Sequence, residues 1–493
     1  MLKKTYIETY LFVALLIILS YNIIFNKPII AGDSYEYLIM TSAWANHFSP
    51  NINKKDIEQA YSSLKEIKNP NDYHKSLKDN YINFLSTGKT INNSYGGLYK
   101  TNNNHHYFYH FWFYSLLCAP LYLILEKLEL QEIYSFSITN SLFIIIALIY
   151  VLFYSKIDLF KKFLLSSIFL FSANIWYINW IHPEILTSTL LFLSILLIYE
   201  KIYILSLILS IIASLHNPSI MFILPFIIIL DYLYYKDIRN VIFMLLISIV
   251  CFIPFLFYKY HYGTYSLISS SGFVSLRNIN IHRLSSLFFD INQGIIISMP
   301  VILILFILTS FRNIIRIKEK SFLSVSLPIA IIIIALPVLS QTNWNMGESV
   351  IIRYGVWLSM PILIYTVMEN SWTKIFMKIF SIIVLTLQIT VCLYFGGFTP
   401  EDWKYLSFNN ISKKIMDNYP YLYNPDEEIF RERLIGKEDI NTKDSTYIYI
   451  NKNNRITKIL TTSSKKDLLI KNNNYKNFIC FKNNNRWIYI NFF

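Results

Sequence analysis

The sequence YLFVALLIILSYNIIF occupies residues 10–25, and GDSYEYL follows it at residues 32–38. The first stretch is an apolar run of the kind that crosses a bilayer, and two lysines precede it. No convincing small-residue cleavage site follows, so we predict an uncleaved anchor with its N-terminus inside. Asp33 and Glu36 then stand where the chain leaves the lipid. Because an acid at that rim is partly desolvated and still open to a water-borne substrate, chemistry is expected there first.

Composition places the whole chain in the membrane class. Of the 493 residues, 54% are hydrophobic, 17% are aromatic and only 15% are charged, against about 25% charged residues in soluble proteins. The net charge of +13 is spread over short loops and the tail, which favours topology signals over nucleic-acid binding. Three cysteines lie in apolar runs and Cys480 stands alone, so neither a disulfide framework nor a cysteine metal site is indicated.

The apolar runs and basic turns predict about eleven membrane crossings, with the C-terminus outside. The apolar segment 111–128 is interpreted as a re-entrant or interfacial helix, since this places the later basic turns inside. After the first crossing, the others are expected to begin near Tyr134, Phe163, Ile185, Ile202, Ser219, Val241, Ile291, Phe322, Tyr354 and Ile375. The predicted fold class is therefore an all-α multi-pass membrane protein.

Two domains are predicted, a membrane module over residues 1–398 and an outer domain over residues 399–493. Within the first, residues 26–110 form an outer loop with helices lying along the membrane surface. Those helices are expected over Tyr35–Trp44 and Asp56–Ile67, and a loop over Ile91–Asn104.

The tail of the chain has ordinary soluble composition and is predicted to be a small α+β or β-rich domain packed on the membrane part. Short β-rich runs alternate there with Asn/Lys turns. The runs are Tyr447–Ile450, Ile456–Leu460, Phe478–Phe481 and Trp487–Phe492.

Asp33 is the first candidate for chemistry, as a general base that removes a proton from an attacking hydroxyl. Glu36 lies three residues further on and shares its helical face. The structural alternative is a solvated helix start with Asp33 at or near the N-cap.

His182-Pro183-Glu184 lies between two apolar runs. Either His182 or Glu184 faces an outer cavity that receives polar substrate, or the triplet only starts a helix, with Glu184 favoured by the helix dipole. His216-Asn217-Pro218 has the same form, and there a helix cap is the favoured interpretation.

Arg353 enters a membrane helix from the outside and needs an anionic partner, and a guanidinium matches phosphate oxygens in a bidentate fashion. The alternatives are an ion pair with Glu348 or snorkelling of the side chain. Tyr354 follows directly. Asp290 is a further candidate, although a lone Asp in such a turn is usually a helix cap.

His105, His106 and His110 do not predict a metal site. The neighbouring His105 and His106 lack the helical i, i+4 spacing of ligands, and no carboxylate stands near them in the sequence. We therefore expect neither metal nor cofactor.

Taken together, these stretches resemble the GT-C superfamily of membrane glycosyltransferases that use polyprenyl-phosphate sugars, such as protein O-mannosyltransferases and the lipid A aminoarabinose transferase. They fall in the family's order over most of the first 400 or so residues. They are Gly32–Leu38, Tyr109–Pro120, Trp180–Glu184, Phe289–Gly294 and Asn343–Tyr354. The layout of outer loop and outer tail also looks like that of serotype-converting O-antigen glucosyltransferases. Many relatives carry Asp-Glu in the first motif, where this chain has Asp33-Ser34, which leaves a second acidic role open.

The resemblance implies an inverting transfer of a sugar from a polyprenyl-phosphate donor to a hydroxyl of an envelope acceptor, whether O-antigen, lipid or protein. The active site would face the outside of the cytoplasmic (inner) membrane. Asp33 would be the catalytic base, and Arg353 would stabilise the phosphate leaving group. The implied substrate-binding set is Glu36, His110, His182, Glu184, Asp290, Glu348, Arg353 and Tyr354.

Two other functions remain open at this stage. An O-antigen polymerase is also aromatic-rich and multi-pass, but it tends to need several outer arginines, and Arg353 stands nearly alone. A lipid-linked-sugar flippase or transporter usually shows broken helices and internal repeats, and 12 glycines in 493 residues do not favour it.

Overall fold

The computed structural model describes residues 2–65, 72–87, 96–345, 350–372, 374–400, 406–437, 446–465, 478–482 and 486–492. Glu348 and the end of the helix predicted at Asp56–Ile67 lie outside these ranges. Helices make up most of the described chain.

The N-terminal part consists of one long apolar helix, three shorter helices and a hairpin. The helices are α1 Leu2–Phe25, α2 Ser34–His47, α3 Lys54–Lys65 and α4 Asp72–Thr87, and the strands are β1 Leu98–Lys100 and β2 His106–Phe108. Helices α2 and α3 occur where the sequence predicts them. However, most side chains of α2 are buried. It is a core helix of the protein rather than an amphipathic surface helix, because α3 and the later helix Phe113–Lys127 both pack on it.

The hairpin β1–β2 replaces part of the loop predicted over Ile91–Asn104, of which residues 91–95 lie outside the described chain. Leu98 pairs with Phe108 and Lys100 with His106. Leu98 and Phe108 are fully buried, so apolar packing stabilises a hairpin that the Asn-rich composition does not indicate.

The middle of the chain is a series of helices joined by short turns. They are α5 Phe113–Lys127, α6 Tyr134–Ile149, α7 Leu159–Leu170, α8 Asn174–Tyr177, α9 Glu184–Tyr199, α10 Tyr203–Ser214, α11 Leu224–Tyr235, α12 Ile238–Ser248, α13 Ile253–Tyr262, α14 Leu267–Ser270, α15 Ile281–Phe289, α16 Ile295–Ser298, α17 Pro300–Ile315, α18 Phe322–Ala335, α19 Arg353–Glu369 and α20 Ile375–Tyr394. A π-helical turn, Tyr150–Tyr154, continues α6.

Six stretches in the described chain are helical, long and apolar enough to cross a membrane. They are Tyr6–Phe25, Tyr134–Tyr154, Pro218–Tyr235, Ile238–Tyr262, Phe322–Ser340 and Ile375–Tyr394. Shorter apolar helices cover Glu184–Tyr199, Tyr203–Ser214 and Pro300–Ile315. The chain is therefore consistent with a multi-pass membrane protein, and the count of about eleven crossings stays a prediction.

The apolar helix expected to begin near Ile291 begins later. Asp290 Oδ1 accepts hydrogen bonds from the backbone N–H groups of Asn292 and Gln293, which holds this stretch in a turn. After the single turn of α16, Pro300 starts the long helix α17, at a position where its missing N–H has no cost.

The C-terminal part contains helices α21 Asn410–Asn418 and α22 Glu427–Ile435 and an antiparallel sheet of strand order β3-β4-β6-β5. The strands are β3 Tyr447–Ile450, β4 Ile456–Thr462, β5 Phe478–Lys482 and β6 Trp487–Phe492. All four predicted β-rich runs are confirmed as strands. The domain boundary at residue 399 remains a prediction.

Helices α9 and α19 pack against each other at the centre of the membrane part. They run in the same direction, because Tyr199 at the end of α9 donates a hydrogen bond to Glu369 at the end of α19 (3.1 Å). Their first residues, Glu184 and Arg353, therefore lie at the same end of the pair.

Candidate active site

Asp33 and Arg353 are in direct contact although 320 residues separate them in the chain. Arg353 Nη1 donates a hydrogen bond to Asp33 Oδ2 at 2.6 Å. The side chains are 16% and 20% exposed, respectively. The pair is thus shielded enough for strong electrostatics but not sealed from a substrate.

A short β-like pairing brings Asp33 to this place. Ile29 pairs with Trp180 in a parallel bridge, and the backbone N–H of Ile29 donates to the carbonyl of Asn179 at 2.8 Å. Trp180 Nε1 donates to Ser34 Oγ at 3.1 Å. Because these segments run side by side, the residues that follow them, Asp33 and His182, face the same point.

His182 accepts from the same guanidinium group. Its Nε2 lies 2.7 Å from Arg353 Nη1, and since a guanidinium only donates, Nε2 must be unprotonated. The proton of neutral His182 is then on Nδ1, 3.5 Å from Glu184 Oε1. Within the described chain, neither His182 Nδ1 nor Glu184 Oε2 has a hydrogen-bond partner.

Glu36 and His110 form the second half of the site. His110 Nδ1 lies 2.9 Å from Glu36 Oε2, and His110 Nε2 lies 3.7 Å from Asp33 Oδ2. The hairpin delivers His110, since β2 ends at Phe108. Gly97 at its base has φ +80°, and a Cβ there would lie 2.6 Å from Glu36 Oε1. Only glycine therefore lets the hairpin approach this carboxylate so closely.

Tyr37 and His216 belong to the same cluster and were missed by the sequence analysis. The Tyr37 hydroxyl lies 3.0 Å from His216 Nε2. The Tyr37 ring stacks on His110 at 5.6 Å and meets the edge of His182 at 5.2 Å. The signal was present in the likeness of His216-Asn217-Pro218 to His182-Pro183-Glu184, but we assigned it to a helix cap.

The charges of the cluster depend on one another. Burial raises the pKa of Asp33, but Arg353 and His110 outweigh it and hold that pKa well below its usual range. Burial and the Arg353 charge lower the pKa of His182 to about 3, in agreement with its accepting Nε2.

The second pair of the site, Glu36 and His110, also has shifted pKa values. Burial raises the pKa of Glu36 to about 7, against the opposing effect of His110. Burial lowers the pKa of His110, but the Glu36 and Asp33 carboxylates outweigh it, so that pKa lies above its usual range.

Asp33, Glu36 and His110 each offer a ligand atom within 4.8 Å of the others. Our argument that no carboxylate is near His110 is therefore wrong in three dimensions. The geometry could admit a divalent cation, but Arg353 already neutralises Asp33 at 2.6 Å, and a cation would have to compete with it. Metal independence stays a prediction.

The remaining predicted residues lie elsewhere or outside the described chain. Asp290 is buried in another network, where its Oδ2 accepts from the Tyr423 hydroxyl at 3.0 Å. Tyr354 follows Arg353 at the start of α19, and its ring packs edge-on against Trp357. Glu348 is not among the described residues.

Comparisons of the chain with protein-family models, curated proteins and solved structures find no match. The fold and the site therefore define the class of protein by themselves. It is a helix-rich protein whose described residues include six helical stretches suited to crossing a membrane and a C-terminal sheet. Its candidate active site pairs an acid with a guanidinium beside three histidines.

Proposed function

We propose that the protein is an inverting glycosyltransferase that moves a sugar from a polyprenyl-phosphate donor to a hydroxyl of a cell-envelope acceptor. The observation that carries the proposal is the contact between Asp33 and Arg353 at 2.6 Å. For this reaction a base and a phosphate-binding cation must border one cavity, because the acceptor oxygen and the leaving phosphate lie on opposite faces of the same anomeric carbon.

In the reaction, Asp33 takes the proton of the acceptor hydroxyl as its oxygen forms a bond to the anomeric carbon. The bond from that carbon to the phosphate oxygen breaks on the opposite face, so the configuration inverts. The bonding electrons go to the phosphate, where Arg353 stabilises the developing negative charge.

Donor binding also prepares the base. In the structure, Arg353 holds the carboxylate of Asp33 and lowers its pKa, which makes Asp33 a weak base. A phosphate that draws the guanidinium away removes this stabilisation. The pKa of Asp33 then rises, and the proton affinity needed for catalysis appears only once the donor is bound.

The other groups fit supporting roles. His182 and Glu184 offer polar atoms without a described partner next to the guanidinium, suited to sugar hydroxyls. Glu36, His110 and Tyr354 complete the proposed substrate-binding set. Asp290 contacts Tyr423 and the turn at Asn292 and Gln293, and its role in substrate binding stays a prediction. The proposed location is the inner membrane, with the site facing outward.

A sugar-transfer assay distinguishes the proposed glycosyltransferase from a flippase. Purified protein in detergent is given a radiolabelled polyprenyl-phosphate hexose, envelope glycans as acceptor, and a chelator. We expect labelled sugar to move to the glycan fraction with release of polyprenyl phosphate. No sugar release in detergent, together with movement of intact donor between leaflets after reconstitution into vesicles, would instead identify a flippase.

The Glu36–His110 pair predicts how donor binding depends on pH. With both groups protonated the pair carries +1, and with both deprotonated it carries −1, and the pKa of Glu36 is about 7. The anionic donor therefore binds less well as pH rises. We expect the donor KM to increase about tenfold between about pH 6 and about pH 8, since one charge a few ångströms away contributes roughly 1.4 kcal/mol or more.

Glu36→Gln should flatten this dependence, because it removes the carboxylate whose pKa is about 7. The matched control is Glu58→Gln, at an exposed position on α3 paired with Lys54, which should titrate as wild type. A donor KM that keeps its full pH dependence in Glu36→Gln would show that this pair does not act on the donor.

A further inference from the structure

Helix α22, in the C-terminal part, binds the chain just upstream of Arg353 through buried charges. Glu428 Oε1 accepts from the backbone N–H groups of Trp344 and Asn345. Asn345 Nδ2 donates to Glu432 Oε2 at 2.7 Å, and Arg433 donates to Asn345 Oδ1. All five of these residues are buried. A helix with buried charges fixes the position of the backbone it binds, because a shift would leave a buried charge without its partner, at a large cost in free energy.

Arg283 contacts both the start of α22 and Trp344. Its guanidinium lies 3.5 Å from Asp426 and 3.5 Å from Glu428, and it stacks over the Trp344 ring at 5.0 Å. The Glu428 carboxylate is thus held by a cation while it binds the backbone of residues 344 and 345.

Gln293 connects this layer to the active site. Its side chain donates to the Trp344 carbonyl at 3.1 Å and accepts from Arg433 at 3.3 Å. Its own backbone carbonyl accepts from the N–H of Ile352 at 2.9 Å, one residue before Arg353. One residue therefore links α22 to the first turn of the helix that carries the guanidinium.

We propose that the C-terminal part is a positioning element for the donor site, acting through Glu428, Arg433 and Gln293 on Arg353. The inference rests on the proposed function, since it assigns to Arg353 the donor phosphate. It predicts that loosening this layer weakens donor binding while the acceptor side, formed on Asp33, is affected much less.

Gln293→Ala and Glu428→Ala test the inference. We expect the KM for the polyprenyl-phosphate donor to rise about tenfold, because a misplacement of about 1 Å at a phosphate-binding group has effects of this order or larger. Acceptor KM should stay within about twofold. Binding of undecaprenyl phosphate alone, measured by native mass spectrometry, should weaken in parallel.

Gln388→Ala is the matched control. Gln388 is also buried and donates to two backbone carbonyls, those of Phe171 (2.7 Å) and Ser298, and none of its described hydrogen bonds goes to α22 or to the chain next to Arg353. It should lower thermal stability as Gln293→Ala does but leave donor KM and lipid binding unchanged. If Gln293→Ala and Gln388→Ala changed donor KM and lipid binding to the same extent, the α22 contacts would contribute only to general packing, and the inference would be overturned.

The two proposals fail in different ways. Wild-type protein that binds undecaprenyl phosphate but transfers no sugar contradicts the glycosyltransferase function, and Gln293→Ala then still decides the positioning role by its lipid binding. Wild-type protein that transfers sugar, with unchanged donor KM and lipid binding in Gln293→Ala and Glu428→Ala, contradicts the positioning role alone. Wild-type protein that does not bind the lipid phosphate contradicts both.

Discussion

Asp33→Asn is expected to reduce sugar transfer by about 10³-fold, within the range that a general base contributes. Asn keeps the size and shape of the side chain but cannot take the acceptor proton. The protein should still fold, because Asn keeps an oxygen that can accept from Arg353 and the side chain has no cap hydrogen bond to the helix it precedes, while loss of the ion pair lowers thermal stability. Donor binding should be unchanged or tighter, since Arg353 no longer has a carboxylate to neutralise it.

Glu369→Gln is the matched control for the same chemical change. Glu369 accepts from Tyr199 at 3.1 Å, Ser324 at 2.9 Å and Asn313 at 3.2 Å, at the opposite end of α9 and α19. It should affect stability but leave turnover per folded molecule within about twofold. Full transfer activity of Asp33→Asn, measured with labelled donor, would remove Asp33 from the role of base.

Local pattern was sufficient for most elements of the fold. The alternating β-rich runs of the tail form β3 to β6 because strand pairing needs only short apolar segments bounded by turns. The apolar runs form helices for the same local reason. The burial of α2 could not be predicted, since its side chains are enclosed by α3 and α5, and the sequence does not say which helices will pack together.

The candidate site was predictable as a set of residue types but not as a set of contacts. The sequence places four residues at the ends of apolar runs: Asp33, His182, Glu184 and Arg353. Apolar runs that end on the same side of a membrane bring their end residues to a similar depth. What joins Asp33 to His182 is the pairing of Ile29 with Trp180, which has no local signal.

Asp290 shows how contacts that are distant in the chain escape a sequence prediction. Its position at a helix end resembles that of Asp33, yet its carboxylate is used for a turn and for the Tyr423 hydroxyl from the C-terminal part. Its partner Tyr423 lies 133 residues away in the chain. His216 was underestimated for the same reason, because its contact with Tyr37 spans 179 residues.

Arg353→Lys is expected to lower kcat/KM for the donor by about 100-fold and to change the acceptor KM by no more than about twofold. A guanidinium can bind two phosphate oxygens at once and still contact His182. The ammonium group of lysine is a compact point charge on a shorter side chain and cannot make both contacts. Losses of this size are typical when a group that stabilises developing oxyanion charge is impaired. Donor concentration series at fixed acceptor, with kcat and KM separated, measure the effect.

Arg312→Lys provides the comparison at a structural arginine. Arg312 donates to Asn370 and to the Glu369 carbonyl, both at 3.2 Å, where the other ends of α17 and α19 meet. It should lower stability without a donor-specific effect. If Arg353→Lys reduced donor and acceptor use equally, Arg353 would be a structural partner of Asp33 rather than the phosphate-binding group, because a residue that only orients the base weakens every step that needs the base.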